Sequence, residues 1–259
     1  MQAFQYQAPS SLADARAAVA AGARLMAGGQ SLLPSMRLGM AQPEAVADLS
    51  GVPGMSGIAV SGGVVRIGAM TPHAQVAASA EVAAAIPALA DLAGRIGDRQ
   101  VRNRGTLGGS VANADPAACY PAALVGLGAT VHTDRRDIAA DDFFTGLYQT
   151  ALAEDEVITA VSFPVPERAG WQKFKQPASR FSFVGVFVSK GPQGVRVAVT
   201  GAGPRVFRAS ELEARLSRDW SAAALEGASV SAAGLNSDLH GSAEYRAALI
   251  PVLAARAVA

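Results

Sequence analysis

The 259-residue chain has one cysteine, Cys119, and three histidines, His73, His132 and His240. A single cysteine excludes an internal disulfide. It also excludes an iron–sulfur cluster held by this chain alone, since such clusters take about four thiolates. The histidines stand far apart and match no zinc-ligand spacing. Charge is scarce at 17% of residues and balanced, with 22 basic against 21 acidic groups. The basic footprint of a nucleic-acid binder or a polybasic membrane anchor is therefore missing. Long apolar runs are missing too. The longest uncharged stretch, residues 116–133, is interrupted by two prolines and two glycines, which suits a core segment and not a membrane span. The start of the chain has no basic region followed by an apolar one, so no signal peptide is expected. A cytoplasmic, metal-free chain is the expectation.

Half the residues are hydrophobic, a globular composition with room for one large domain or two ordinary ones. Ser10 and Ser11 before "LADARAAVAAG" predict a capped helix over about 12–21, closed by Gly22. "ARLMAGG" and "EAVADLS" read as short strands. "SGIAVSGGVVRIGAM" reads as a hairpin turning at Gly62-Gly63. Residues 81–96 read as a helix in which Pro87 is a kink or a new first turn. Residues 97–116 are polar and glycine-rich, and a helix is expected at about 117–127. Pro164, Pro166 and Gly170 mark the best linker. Beyond it, "WQKFKQPASRFSFVGVFVSK" and "GVRVAVTGAG" hold three strands of an antiparallel meander, and residues 208–259 read as helices.

Two glycine pairs, in "AGGQS" (27–31) and "TLGGS" (106–110), flank small polar residues. No G-x-x-x-x-G-K-[ST] loop occurs, and "GLGATV" and "GAGPRV" lack the third glycine of a dinucleotide fingerprint. Phosphate cradling needs neither motif. It needs successive backbone N–H groups facing a concavity, close approach without a Cβ, and a nearby hydroxyl. Glycine is abundant, at 27 residues, so pairs also arise by chance, and Gly62-Gly63 reads as a plain turn. Spacing alone leaves both readings open.

Residues 27–55 and 96–118, with "FKQPASRFSFVGV" after the linker, resemble the FAD-binding medium subunits of the molybdenum hydroxylases, the xanthine and carbon monoxide dehydrogenase family. They are closest in style to the carbon monoxide dehydrogenase type. The resemblance covers nearly the whole chain. It implies an α+β protein: a two-subdomain FAD-binding (PCMH-type) domain over 1–168, then a small C-terminal domain over 169–259 with a three-stranded antiparallel sheet and helices. It also implies that Ala27, Gly28, Gly29, Gln30, Ser31 and Leu32, with Thr106, Gly108, Gly109 and Ser110, hold the FAD pyrophosphate. Ala112, Asn113 and Asp115 would line the ribityl chain and isoalloxazine. The implied partners are a large molybdenum-cofactor subunit and a small subunit with [2Fe–2S] clusters, in a dimer of heterotrimers, with no nucleic acid and no membrane insertion. The implied role is electron transfer to an external acceptor, a quinone or other carrier before NAD. The resemblance leaves the substrate open, because the selecting residues lie on the large subunit.

One departure stands out. Many relatives of this family carry an acidic, flavin-contacting residue where this chain has Cys119. Cys119 is either a small buried hydrophobe or a group near the flavin that alters its potential. Arg99, Arg102 and Arg104 are either cofactor- or partner-facing cations or a solvated loop. Lys175, and next to it Lys173, could reach the flavin, although alternation along a strand places such lysines in solvent. His73 suits a surface turn. Trp171 and the phenylalanines at 181, 183 and 187 suit core or subunit contact. No Ser–His–Asp arrangement is legible. Two other functions stay open: a self-contained FAD oxidase, and a cofactor-less assembly protein of the same fold.

Overall fold

The computed structural model describes residues 2–259. The first subdomain is small and parallel. Strands β1 (Gln5–Gln7), β2 (Arg24–Met26) and β3 (Ala45–Asp48) lie in the order β1-β3-β2, with β3 parallel to both neighbours. Helices α1 (Leu12–Ala20) and α2 (Leu32–Arg37) connect them. Ser11 caps α1 by accepting from the Asp14 amide at 3.1 Å, and Gly22 ends it at φ +93°. Pro34 does not break "QSLLPSMR". It sits in the first turn of α2, where its missing N–H costs nothing.

The second subdomain is an antiparallel five-stranded sheet in the order β4-β5-β10-β6-β7. Its strands are β4 (Ile58–Ser61), β5 (Val64–Gly68), β6 (Thr130–Thr133), β7 (Asp137–Ala139) and β10 (Ile158–Pro164). The Gly62-Gly63 hairpin joins β4 to β5, and β10 enters the middle late in the chain. Helices α3 (His73–Ala78), α4 (Ala80–Ala85), α5 (Pro87–Gly94), α6 (Arg99–Arg104), α7 (Leu107–Asn113) and α8 (Tyr120–Leu127) lie between β5 and β6 in sequence. Pro87 is a new first turn, not a kink. The polar, glycine-rich stretch 97–116 contains α6 and α7. Asp98 and Thr106 nucleate them by accepting from Val101 N and Gly109 N. A short helix α9 (Ala140–Phe143) and a hairpin, β8 (Phe144–Gly146) with β9 (Gln149–Thr150), lead to β10. Leu89, Leu92, Leu107, Tyr120, Leu124, Phe143 and Phe163 fill the core and are fully buried.

The C-terminal sheet has the three expected strands, β11 (Arg168–Lys175), β12 (Ser182–Gly191) and β13 (Gly194–Thr200), and a two-residue fourth, β14 (Phe207–Arg208). Every pairing is antiparallel. Helices α10 (Ser210–Arg218) and α11 (Ala243–Val258) pack against it, and the stretch between them is largely irregular. Strand β12 is buried over eight successive residues because α11 and α8 both pack on it. This explains why "SFVGVFVS" reads as a continuous apolar run without clean alternation. Hydrogen bonds tie the sheet to the segment before α8. Ser182 N donates to Ala117 O at 3.1 Å and Gly201 N to Pro116 O at 2.7 Å. The Thr200 hydroxyl lies 2.7 Å from Ala118 O, and Arg196 Nε donates to Val125 O at 2.7 Å.

Gly170 is a packing residue inside β11 and not part of a linker. A Cβ there would lie 1.7 Å from the Ala257 carbonyl at the end of α11. Gly170→Ala is expected to push α11 off the sheet and to cost about 3 kcal/mol, read as a lower Tm. An unchanged Tm would show that the end of α11 yields freely.

Candidate functional site

A cleft of about 1310 Å³ opens between the two N-terminal subdomains, with the C-terminal sheet along one side. It exceeds the few-hundred-Å³ pockets that hold a small metabolite and suits an extended ligand. Both glycine pairs line it.

The backbone explains why glycine is required. At Gly28 a Cβ would lie 1.9 Å from the Arg104 carbonyl oxygen, so the β2–α2 loop and the end of α6 touch backbone to backbone. Gly29 has φ +71°, a left-handed conformation that side chains resist. At Gly108 a Cβ would lie 2.5 Å from Ala69 Cβ. Gly109 differs, because its Cβ would meet only the Thr106 hydroxyl at 2.8 Å and Ala27 Cβ at 3.3 Å.

The two loops also differ in their donors. The amides of Leu107, Gly108 and Gly109 are spent on Thr71 O, Ala69 O and the Thr106 hydroxyl. The four successive amides of Gly28, Gly29, Gln30 and Ser31 have no acceptor among the described residues, and the Ser31 hydroxyl makes no capping bond. Orphan amides in a row, followed by a helix start, are suited to an anion. The first loop therefore supplies the donors. The second supplies a Cβ-free wall and the Ser110 side chain.

Ala27, Leu32, Thr106, Ser110, Ala112, Asn113, Asp115 and Cys119 line the same cleft. Asp115 accepts from Ala117 N at 2.8 Å and from the Tyr148 hydroxyl at 3.1 Å. Lys175 does not line it. A bulge between Phe174 and Lys175 breaks the alternation of β11, so Lys175 is exposed. Lys173 is the inward lysine, on the face of Trp171 two residues earlier. It is 7% exposed and lines the cleft. Solvent was the expectation for Lys173, and the spacing from Trp171 was the signal against it. Of the other aromatics, Phe183 and Phe187 are buried, while the exposed Phe181 is on the cleft rim. Arg99, Arg102 and Arg104 do not line the cleft. Arg102 instead donates to Ile96 O and Gly97 O.

Strain clusters here as well. Three non-glycine residues have left-handed backbone among the described residues: Ala114, Tyr148 and Arg180. Tyr148 and Arg180 line the cleft, and Ala114 lies between two residues that do. Each costs about 1–3 kcal/mol, and such residues gather at ligand sites. Tyr148 and Arg180 carried no sequence signal.

His73 is not on a surface turn. It is 4% exposed, starts α3, and packs on Tyr120 with ring centroids 5.3 Å apart. Burial, aided by the Arg102 charge, pushes its pKa down to about 4. Asp137, His132 and Ser162 do form a hydrogen-bonded chain, with His132 2.6 Å from Asp137 and 2.7 Å from Ser162. These residues are neighbours across β7, β6 and β10, and none lines this cleft. Among the described residues no helix is long and apolar enough to cross a membrane.

Residues 2–166 match the family model described as FAD binding domain in molybdopterin dehydrogenase. Residues 180–259 match the CO dehydrogenase flavoprotein C-terminal domain. The nicotine 6-hydroxylase medium subunit of Paenarthrobacter nicotinovorans is 38% identical, over 100% of this chain and 97% of the relative. The carbon monoxide dehydrogenase medium chain of Hydrogenophaga pseudoflava is 35% identical, over 98% and 96%. Among solved structures, carbon monoxide dehydrogenase from Hydrogenophaga pseudoflava superposes with TM-score 0.89 at 35% identity, over 99% of this chain and 96% of that chain. Quinoline 2-oxidoreductase from Pseudomonas putida 86 gives 0.89 at 32% identity, with the same coverage.

Two groups at this cleft make stability fall in acid over separate windows. His73 titrates near 4 when folded and near 6.5 when unfolded. The unfolded chain therefore takes up the proton first, and stability drops as pH falls from about 6.5 to about 4. Glu156, held to about 2 chiefly by its hydrogen bonds to Arg136, loses its contribution below about 4.3. His73→Gln is expected to flatten Tm against pH over the upper window only. An unaltered slope there would refute the assignment.

Proposed function

Because the chain belongs to the family of FAD-binding medium subunits of molybdenum hydroxylases, we propose that it binds FAD in this cleft and relays electrons. They would pass from iron–sulfur clusters on a small partner subunit to an external acceptor. The observation that carries the reading is the row of four acceptorless amides, Gly28 to Ser31, facing a cleft walled by Gly108 and Gly109.

The fit is specific to a ligand that is anionic at one point and extended beyond it. The Gly28–Ser31 amides and the Ser31 hydroxyl would hold the pyrophosphate. Thr106, Gly109 and Ser110 would close its other side. Ala112, Asn113 and Asp115, with Tyr148 hydrogen-bonded to Asp115, would line the remainder. Bound FAD supplies a centre that accepts electrons and releases them to a second carrier. The single cysteine cannot hold a cluster, so the clusters and the molybdenum cofactor belong to partner chains. A dimer of heterotrimers in the cytoplasm is the assembly we propose. The relatives named for carbon monoxide and nicotine share this cleft's family, so the choice of substrate rests with the large subunit.

Gly109→Val is expected to abolish FAD binding and to cost less stability than Gly28→Ala, because position 109 lines the cleft and a Cβ there meets the Thr106 hydroxyl and Ala27 Cβ and no backbone. Gly28→Ala is expected to destabilise the fold as well, since the Arg104 carbonyl cannot move away cheaply. Flavin content and Tm on both variants check this, and normal flavin in Gly109→Val would refute the site. Gentle purification of the tagged chain should bring down FAD, a molybdenum-cofactor subunit and an iron–sulfur subunit. A flavin-loaded solitary chain would refute the relay.

A further inference from the structure

Three cations among the described residues are more than nine-tenths buried: Lys173, Arg196 and Arg246. Arg196 pairs with Asp141 and Arg246 with Asp238. Lys173 has no carboxylate. Its Nζ donates to the carbonyls of Arg95 and Arg180, both at 2.8 Å, and lies 3.4 Å from Cys119 Sγ. The three partners occupy the three donors of the ammonium. Two of them are dipoles and the third is a thiol, so they solvate the charge without cancelling it.

Among the described residues no carboxylate makes an ion pair with Lys173. Asp91 pairs with Arg95, and Asp115 accepts from Ala117 and Tyr148. Burying a charge without a counter-charge is costly, yet both Lys173 and Cys119 line the cleft. Position 119 is where an acid would complete an ion pair with Lys173. The cysteine leaves that pair unmade, and the positive charge faces whatever occupies the cleft.

We propose that Lys173, kept without a counter-charge by Cys119, is the group that biases the cleft toward the anionic reduced flavin and so raises the flavin's reduction potential. With FAD bound, two-electron reduction would add two electrons and one proton to the neutral ring and leave it with one negative charge. A fixed ammonium on the cleft wall stabilises that state over the oxidised one. The inference rests on the FAD reading above.

The test is the midpoint potential of the flavin, measured by spectroelectrochemical titration on the full chain with its FAD and any co-purifying subunits. Cys119→Asp supplies the missing carboxylate. It is expected to weaken reduced relative to oxidised flavin at least tenfold, about 30 mV for a two-electron couple. Lys173→Gln is expected to shift the potential in the same direction, and Cys119→Ser, which changes no charge, to leave it in place. Cys119→Asp with full flavin and an unmoved potential overturns the proposal. A second measurement separates this from failure of the FAD reading. In the flavin-free chain, Cys119→Asp should melt above Cys119→Ser, because the new carboxylate meets a charge whose desolvation is already incurred. An equal or lower Tm also overturns the proposal. A native chain that carries no FAD refutes the FAD reading, and the melting comparison still decides whether Lys173 is uncompensated.

Discussion

The arrangement depends on one backbone contact. The Arg104 carbonyl lies where residue 28 would place a Cβ, and only glycine permits it. Through that contact a parallel three-stranded unit and an antiparallel five-stranded unit meet without intervening side chains. The contact turns the start of α2 toward α7 and creates the cleft between them. Its neighbour at Gly108, pressed on Ala69, holds α7 against the end of β5. Backbone-to-backbone contact is unforgiving, because neither partner has a rotamer to change. The geometry of the Gly28–Ser31 amides is therefore set by subdomain packing.

The second joint brings in the C-terminal sheet. Strand β12 and the end of β13 pin residues 116–118 through the amides of Ser182 and Gly201 and the Thr200 hydroxyl, which lies against both Pro116 O and Ala118 O, and α8 is buried against the same strands. Asp115, Ala118 and Cys119 line the cleft, so that wall is fixed by the C-terminal sheet. The same docking carries Lys173, Arg180 and Phe181 to the rim. Lys173 in turn bonds to Arg95 O in one unit and Arg180 O in the other, so one buried ammonium spans the joint it sits beside.

What the sequence made legible was local. Ser11 and Gly22 bracket α1, and Gly62-Gly63 turns the hairpin, because caps and positive-φ turns are decided within a few residues. Helices α6 and α7 were hidden by their own composition. Arginine, asparagine and paired glycine suggest a loop, yet Asp98 and Thr106 are good caps three residues ahead of the amides they accept from. The site was legible where backbone chemistry makes it, at the glycine pairs. It was illegible where tertiary structure makes it. His73 is buried by Tyr120, a residue 47 positions away. Lys173 and Lys175, two apart on one strand, are split by a bulge that leaves the first buried and the second exposed. Tyr148 reaches Asp115 from the β8–β9 hairpin, 33 positions along the chain.

The glycine pairs also correct the argument that pointed to them. They suggested close approach to a phosphate, yet Gly28, Gly29 and Gly108 are demanded by the protein itself, through a carbonyl, a left-handed φ and a strand end. A motif of this kind cannot by itself separate a cradle from a joint. The separation comes from the donors. Packing alone accounts for the second loop, whose amides are bonded internally; in the first, Gly28 and Gly29 are half-buried and Gln30 and Ser31 are open to the cleft and solvent. The first loop leaves four successive amides acceptorless in a cleft that three strained residues line or flank. That difference between two similar-looking glycine pairs is the physical ground for the proposal that residues 28–31 donate to the ligand's charge, with 106–110 closing its other side and 112–115 running along its uncharged length.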